Sequence, residues 1–157
     1  MRYIKESFAI NSIEDTNYLD GYNLNNLINS FNDEVYSLTL FSKYIEYINN
    51  DNIYNIINEI INFKLLNIKA LIKCFYINGI DINLDIDENI ININTEDNDI
   101  SILRTLLENI KNLTKNWDNL YKESITNPNA IINSLSEKMI KGNIQFEFIL
   151  KNTIKNN

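Results

Sequence analysis

Four long segments of the chain repeat apolar residues every three or four positions, the spacing that gives an amphipathic α-helix one buried face. Gly79 directly follows the second segment, as is typical of a helix end. Asn127 and Pro128 open the fourth, as is typical of a helix start. The pattern predicts an all-α fold. The four segments span residues 24–49, 52–78, 100–124 and 127–153.

The connections between these segments predict how the helices are arranged. Residues 49–52 and 126–129 are short connections, which place consecutive helices side by side and antiparallel. Residues 80–99 form a long middle connection in which apolar and polar residues alternate, so we expect either an extended crossover or a small β-hairpin. Residues 1–21 are expected to form an N-terminal strap. The prediction is therefore one domain, residues 1–157, built as an antiparallel four-helix bundle.

Composition favours a folded domain in a reducing compartment. The chain has 157 residues, 45% of them hydrophobic, which is enough for a core without metal or disulfide support. Its 31 Asn and 30 Ile against three Ala indicate a low-GC genome rather than a function. The single cysteine, Cys74, excludes a disulfide framework. No apolar run approaches membrane-spanning length, so we expect a cytoplasmic protein without membrane contact.

Three properties of the composition exclude classes of function. The chain has no histidine, which excludes histidine-dependent nucleophilic catalysis and the commonest transition-metal ligand. It has only three glycines, too few for a phosphate-binding glycine loop. Its net charge of −7 leaves no basic patch for phosphates, so nucleic-acid binding is not expected. We predict no catalytic residues and no cofactor.

Two of the predicted helices carry a charged residue at the centre of the apolar face. Glu34 lies there on the first helix, and Lys64 on the second, with Asn67 on its flank. Glu34 and Lys64 are equally far from the turn at 49–52, so antiparallel helices place them at one height. We expect a buried ion pair. The alternative is that Glu34 stays hydrated near a bundle end while Lys64 extends its stem to solvent.

This pattern resembles the ferritin-like superfamily, of the rubrerythrin and bacterioferritin type, over residues 22–155. Members carry Glu on the first and third helices and Glu-x-x-His on the second and fourth, and these side chains bind two metals. Glu34, in DEVYSLTLFSKY, is similar to the first-helix Glu. The second motif would fall on KLLN, residues 64–67, and the fourth on GNIQ, residues 142–145. The third-helix Glu would fall on Leu113 or Thr114.

The resemblance implies a degenerate metal site. Only Glu34 keeps the ligand type, because lysine repels a cation and glycine or leucine offers no side-chain donor. No metal is expected, and Lys64 would supply the positive charge that metal supplies in the family. The vestigial positions are Glu34, Lys64, Asn67, Gly142 and Gln145.

A second unusual feature lies on the predicted outer face of the fourth helix. Ile140, Ile144 and Phe148 repeat every four positions on the side away from the core. An exposed apolar stripe often marks a binding surface, so a homo-oligomer or a protein partner is expected. The alternative is that the N-terminal strap or the segment 82–93 covers the stripe.

Three functions remain open on the sequence. The first is a non-catalytic ferritin-like protein that acts as a structural or assembly component. The second is a ferritin-like oxidase or iron-handling protein with an unusual ligand set of Glu34, Asn67 and Gln145. The third is an acidic immunity or inhibitor protein that binds a basic partner, which the charge of −7 permits.

Overall fold

The computed structural model of the protein describes residues 21–82, 91–94, 97–126 and 129–157, and only the backbone of residues 21–23. Within these ranges the chain contains four α-helices and no strand, so the predicted all-α class and the four helices are confirmed. A short 3-10 helix, Ile45–Tyr47, follows the first α-helix. The α-helices are α1 (Gly21–Tyr44), α2 (Asp51–Ile77), α3 (Asp99–Thr126) and α4 (Ala130–Lys155).

Both ends of α2 are capped by hydrogen bonds that involve its flanking residues. The Asn50 side chain accepts from the backbone N–H groups of Asn52 and Ile53 at 2.9 and 3.1 Å. At the other end Gly79 has a φ of +71°, in the left-handed region that glycine adopts without strain. The N–H of Ile80 then donates to the carbonyl of Phe75 at 2.9 Å, which completes a Schellman-type end.

The start of α4 differs from the sequence prediction. Asn129 is its N-cap, with an extended φ of −140° and a side-chain oxygen that accepts from Ile132 N at 3.0 Å. The predicted start at Asn127 and Pro128 is therefore two residues too early, and those two residues lie outside the described part of the chain. The cause is a repeated cap residue, since either asparagine could begin this helix.

Distances between backbone atoms show which helices lie together. The most extensive packing joins α3 to α4, and α1 packs against both α2 and α3. Hydrogen bonds between α1 and α3 follow a regular order. Residues with higher numbers in α1 bond to residues with lower numbers in α3. These bonds join Asn26 to Glu123, Asp33 to Asn116, and Ser37 to Asn109.

The buried apolar residues form two clusters, one toward each end of the helices. The first surrounds Trp117 and contains the edge-to-face pair Phe31 and Phe75, whose ring centroids are 5.4 Å apart. The second contains Phe41 and Phe146 together with aliphatic residues of α2 and α3. At about 25 cal/mol per Å² of buried apolar surface, these clusters supply the main drive for folding. Within the described helices, none is long and apolar enough to cross a membrane.

The long middle connection is described only at its ends and near residues 91–94. Ile91 is buried and Ile93 is half-buried, and both pack against the second cluster without strand pairing. Asp99, at the start of α3, accepts from the backbone N–H groups of Asn49 and Asn50 at 3.0 and 2.9 Å. This carboxylate therefore ties the α1–α2 connection to α3. Residues 83–90 of the predicted hairpin and residues 1–20 of the predicted strap lie outside the described residues.

Candidate functional site

The most unusual feature of the interior is a pair of opposite charges between α1 and α2. Glu34 Oε2 lies 3.5 Å from Lys64 Nζ, and the two side chains are 1% and 0% exposed. Isolated charges are rarely buried so completely, because removing an ion from water costs several kcal/mol. The structure therefore brings together the two inward charges that the sequence placed at one height.

Two further helices contribute polar groups to Glu34. Trp117 of α3 donates its ring N–H to Glu34 Oε1 at 2.9 Å. Asn143 of α4 donates its side-chain amide to the same oxygen at 3.3 Å. All four helices thus meet at one carboxylate. Hydrogen bonds to a carboxylate are about twice as strong as neutral ones, so these two contacts add to the stability of the centre.

Lys64 lies among aromatic rings rather than among hydrogen-bond acceptors. Its Nζ is 5.1 Å from the ring centroid of Phe41 and 5.7 Å from that of Phe146, within the range of cation–π attraction. Among the described residues Nζ makes no well-formed hydrogen bond, so its contact with Glu34 is a longer-range ion pair. Burial lowers the pKa of Lys64, and the negative charge of Glu34 opposes that shift.

Among the described residues, no hydrogen bond or ion pair joins the other predicted ligand positions to Glu34. Asn67 is buried, and its side-chain oxygen has no hydrogen-bond partner within the described residues; the same is true of the Gln145 side-chain oxygen. Gly142 is buried in α4 and offers no side chain. On α3, Leu113 belongs to the apolar core, while Thr114 donates to Glu147 at 3.0 Å. Of the vestigial set, Glu34 and Lys64 are joined by an ion pair.

The sequence interpretation missed both hydrogen-bond donors to Glu34. Trp117 was counted as apolar, although a buried indole N–H needs an acceptor. Asn143 lies inside the GNIQ segment but not at one of its two ligand positions. An unpaired indole donor on the inner face of α3 was the signal that could have found Trp117.

The centre contains one carboxylate and one amine, both buried. Where a metal would need a second carboxylate or an imidazole, the protein places an ammonium group 3.5 Å from Glu34. Across the described parts of the chain, no group of three or more His, Cys, Asp or Glu residues is close enough to hold a metal ion. The centre therefore joins all four helices through the carboxylate of Glu34.

The apolar stripe of α4 is exposed over two of its three residues. Ile144 and Phe148 are 52% and 67% exposed. Ile140 is half-buried and packs against the first core cluster, so it contributes only its outer edge to the surface. The stripe lies on the face opposite the buried residues of α4.

Cys74 is expected to be inert in the folded protein. It lies in the first core cluster, and burial raises the pKa of its thiol to about 11. Because the thiolate is the reactive form, labelling by a disulfide reagent at pH 8 should proceed only as fast as the protein unfolds. Labelling rates measured with and without urea will check this. Fast labelling in the native state would contradict a buried thiol.

Comparison with known proteins identifies no relative, since no protein-family model, curated protein or solved structure matches the chain.

Proposed function

We propose that the protein is a non-catalytic ferritin-like bundle in which an internal ion pair takes the place of a metal centre. Its proposed role is that of a structural or assembly component in the cytoplasm. The observation that carries this proposal is the position of Lys64 Nζ, 3.5 Å from Glu34 Oε2 in the buried centre. A carboxylate there needs a positive partner, and the chain supplies one from its own α2.

The order of contacts supports an antiparallel bundle. Partners of α1 descend along α3, from Glu123 to Asn109, as expected for helices that run in opposite directions. The connection between α1 and α2 is short, as is the one between α3 and α4, so each consecutive pair is proposed to be antiparallel. A ferritin-like order of helices is consistent with the long connection between α2 and α3.

The competing proposal is a metal-binding oxidase that uses Glu34, Asn67 and Gln145. It is favoured by the buried side-chain oxygens of Asn67 and Gln145, which have no protein partner among the described residues. Lys64 opposes it, because a cation bound at Glu34 would lie beside an ammonium group. At an effective dielectric of about 20, a divalent cation about 4 Å from Lys64 would be repelled by roughly 8 kcal/mol.

Metal binding decides between the two. Tag-free protein, purified without chelator, is expected to contain no stoichiometric iron, manganese or zinc by elemental analysis. Titration with Fe²⁺, Mn²⁺ or Zn²⁺ is expected to leave the melting temperature unchanged, because a ligand stabilises only a fold that binds it. One equivalent of tightly held metal that disappears in Glu34→Gln would overturn the ion-pair proposal in favour of the oxidase.

A further inference from the structure

The outer face of α4 carries charges as well as an apolar stripe. Lys141 Nζ lies 3.1 Å from Glu137, and Lys151 Nζ lies 3.6 Å from Glu147, each pair one turn apart on the helix. One ion pair therefore precedes Ile144 in the sequence and the other follows it. On the surface such pairs contribute only about 0.3–0.5 kcal/mol to helix stability.

These residues are distributed symmetrically about Ile144. Three positions before it lies Lys141, and three positions after it lies Glu147, which is 18% exposed and accepts from Thr114 of α3. At a distance of seven positions the signs are reversed, with Glu137 before and Lys151 after. Four positions to either side are the apolar residues Ile140 and Phe148. These three symmetric pairs thus join opposite charges or two apolar side chains, whereas the pair eleven positions away, Asn133 and Lys155, joins an amide to a charge.

This pattern is what two copies of one helix need in order to pair antiparallel. Around a two-fold axis each residue meets the position equally far from the axis on the other copy. With the axis at Ile144 and a crossing angle near +20°, the helix surfaces keep these positions within side-chain reach. We propose that α4 binds α4 of a second copy, antiparallel, about a two-fold axis through Ile144. The inference rests on the assembly role proposed above, and it names the partner.

Self-complementarity favours a second copy over an unrelated partner. Two chains of net charge −7 repel each other, so association needs locally matched charges. The pairing supplies two such contacts between exposed side chains, because the Glu137–Lys151 pair occurs twice, and it covers the exposed Phe148 with Ile140 of the second copy. A contact of one helix per copy lies at the small end of specific interfaces, so the dimer should dissociate on dilution.

Sedimentation equilibrium tests the dimer directly. The average mass is expected to rise with concentration from 18.4 kDa toward twice that value. Phe148→Asp should stay monomeric at every concentration, since an aspartate would face an apolar side chain. Tyr76→Asp is the matched control, because Tyr76 is an exposed aromatic residue of α2, and this variant should dimerise normally. A monomeric wild type, or equal behaviour of the two variants, would overturn the proposal.

Charge reversal tests the register. Glu137→Lys and Lys151→Glu should each weaken self-association roughly tenfold or more, because each homodimer then contains two like-charge contacts. An equimolar mixture should regain the wild-type mass, since the heterodimer has every pair matched again. Circular dichroism should show both single variants folded. A mixture that stays as weak as its components would exclude this register.

A cross-link at the axis gives an independent readout. Under mild oxidation Ile144→Cys should form a disulfide-linked dimer, because the two-fold axis brings the new thiols together. Tyr76→Cys should form no disulfide-linked dimer under the same conditions, and native Cys74 is buried. Equal cross-linking of both variants would contradict the axis. A monomer that contains no metal would contradict the proposed dimer but not the ion-pair proposal. A dimer that contains tightly held metal would contradict the ion-pair proposal but not the dimer.

Discussion

Replacing Lys64 with alanine is expected to lower the free energy of unfolding by about 3–5 kcal/mol. The change leaves the carboxylate of Glu34 buried with two hydrogen bonds but no counter-charge. It also removes the lysine stem from between Phe41 and Phe146, which leaves a cavity. Urea unfolding followed by circular dichroism at 222 nm measures the loss as a lower midpoint with an unchanged slope.

Lys69→Ala is the matched control for this prediction. Lys69 lies on the same helix but is exposed, so its removal should change stability by no more than about 0.5 kcal/mol. Lys64→Met separates charge from packing, because methionine keeps most of the stem and loses the ammonium group. Equal unfolding midpoints for Lys64→Ala and Lys69→Ala would show that the charge pair contributes nothing.

The second large effect is expected for Glu34→Gln. Glutamine keeps the shape of the side chain and an oxygen that can accept from Trp117 and Asn143. It leaves Lys64 without its counter-charge in an apolar surrounding. The free energy of unfolding at pH 7 should fall by about 5 kcal/mol at most. Deprotonating a lysine of ordinary pKa 10.5 at pH 7 costs about that much, and the neutral amine can then be buried.

The stability of the Glu34→Gln variant is expected to rise with pH. Burial lowers the pKa of Lys64 in the folded state, and glutamine removes the charge that opposes the shift. Below pH 10.5 the unfolded chain then binds more protons than the folded one, so stability rises with pH. The deficit relative to wild type should shrink by up to about 1.4 kcal/mol per pH unit between pH 7 and 10.

A double variant, Glu34→Gln with Lys64→Met, supplies the control for the pH profile. With no amine in the core, its stability relative to wild type should lack the upward trend seen in Glu34→Gln alone. The two changes should also be less costly together than the sum of the single losses, because neither leaves a charge stranded. Additive losses and parallel pH profiles would indicate that the two side chains do not interact.

Much of the fold could be predicted because its helices are long and their apolar spacing is regular. The meeting of Glu34 and Lys64 could be predicted for a geometric reason, since both lie at known distances from one short turn. Trp117 and Asn143 follow the long middle connection, for which the sequence allows either a crossover or a hairpin, so no short turn relates their height to that of Glu34. Their hydrogen bonds depend on tertiary packing that periodicity does not encode.

Two details of α4 differ from the sequence prediction. Two asparagines, Asn127 and Asn129, both suit a helix start, and the proline between them pointed to the wrong one. The stripe on α4 was predicted as three equivalent residues, but neighbouring helices cover most of Ile140. Periodicity locates the outward direction of a helix to within about one residue step of 100° and does not show how far a neighbour extends over its edge.

The meeting of four helices at Glu34 also restricts how this sequence can evolve. Loss of Lys64 alone leaves the buried carboxylate without a counter-charge. Loss of Glu34 alone leaves the buried amine without one. If the replacement residue has no acceptor, the N–H groups of Trp117 and Asn143 also lose their partner. A typical domain is stable by only about 5–15 kcal/mol, so either single step removes a large part of that margin. Descendants of this chain are therefore expected to keep these residues together or to exchange them together, while exposed positions such as Lys69 vary independently.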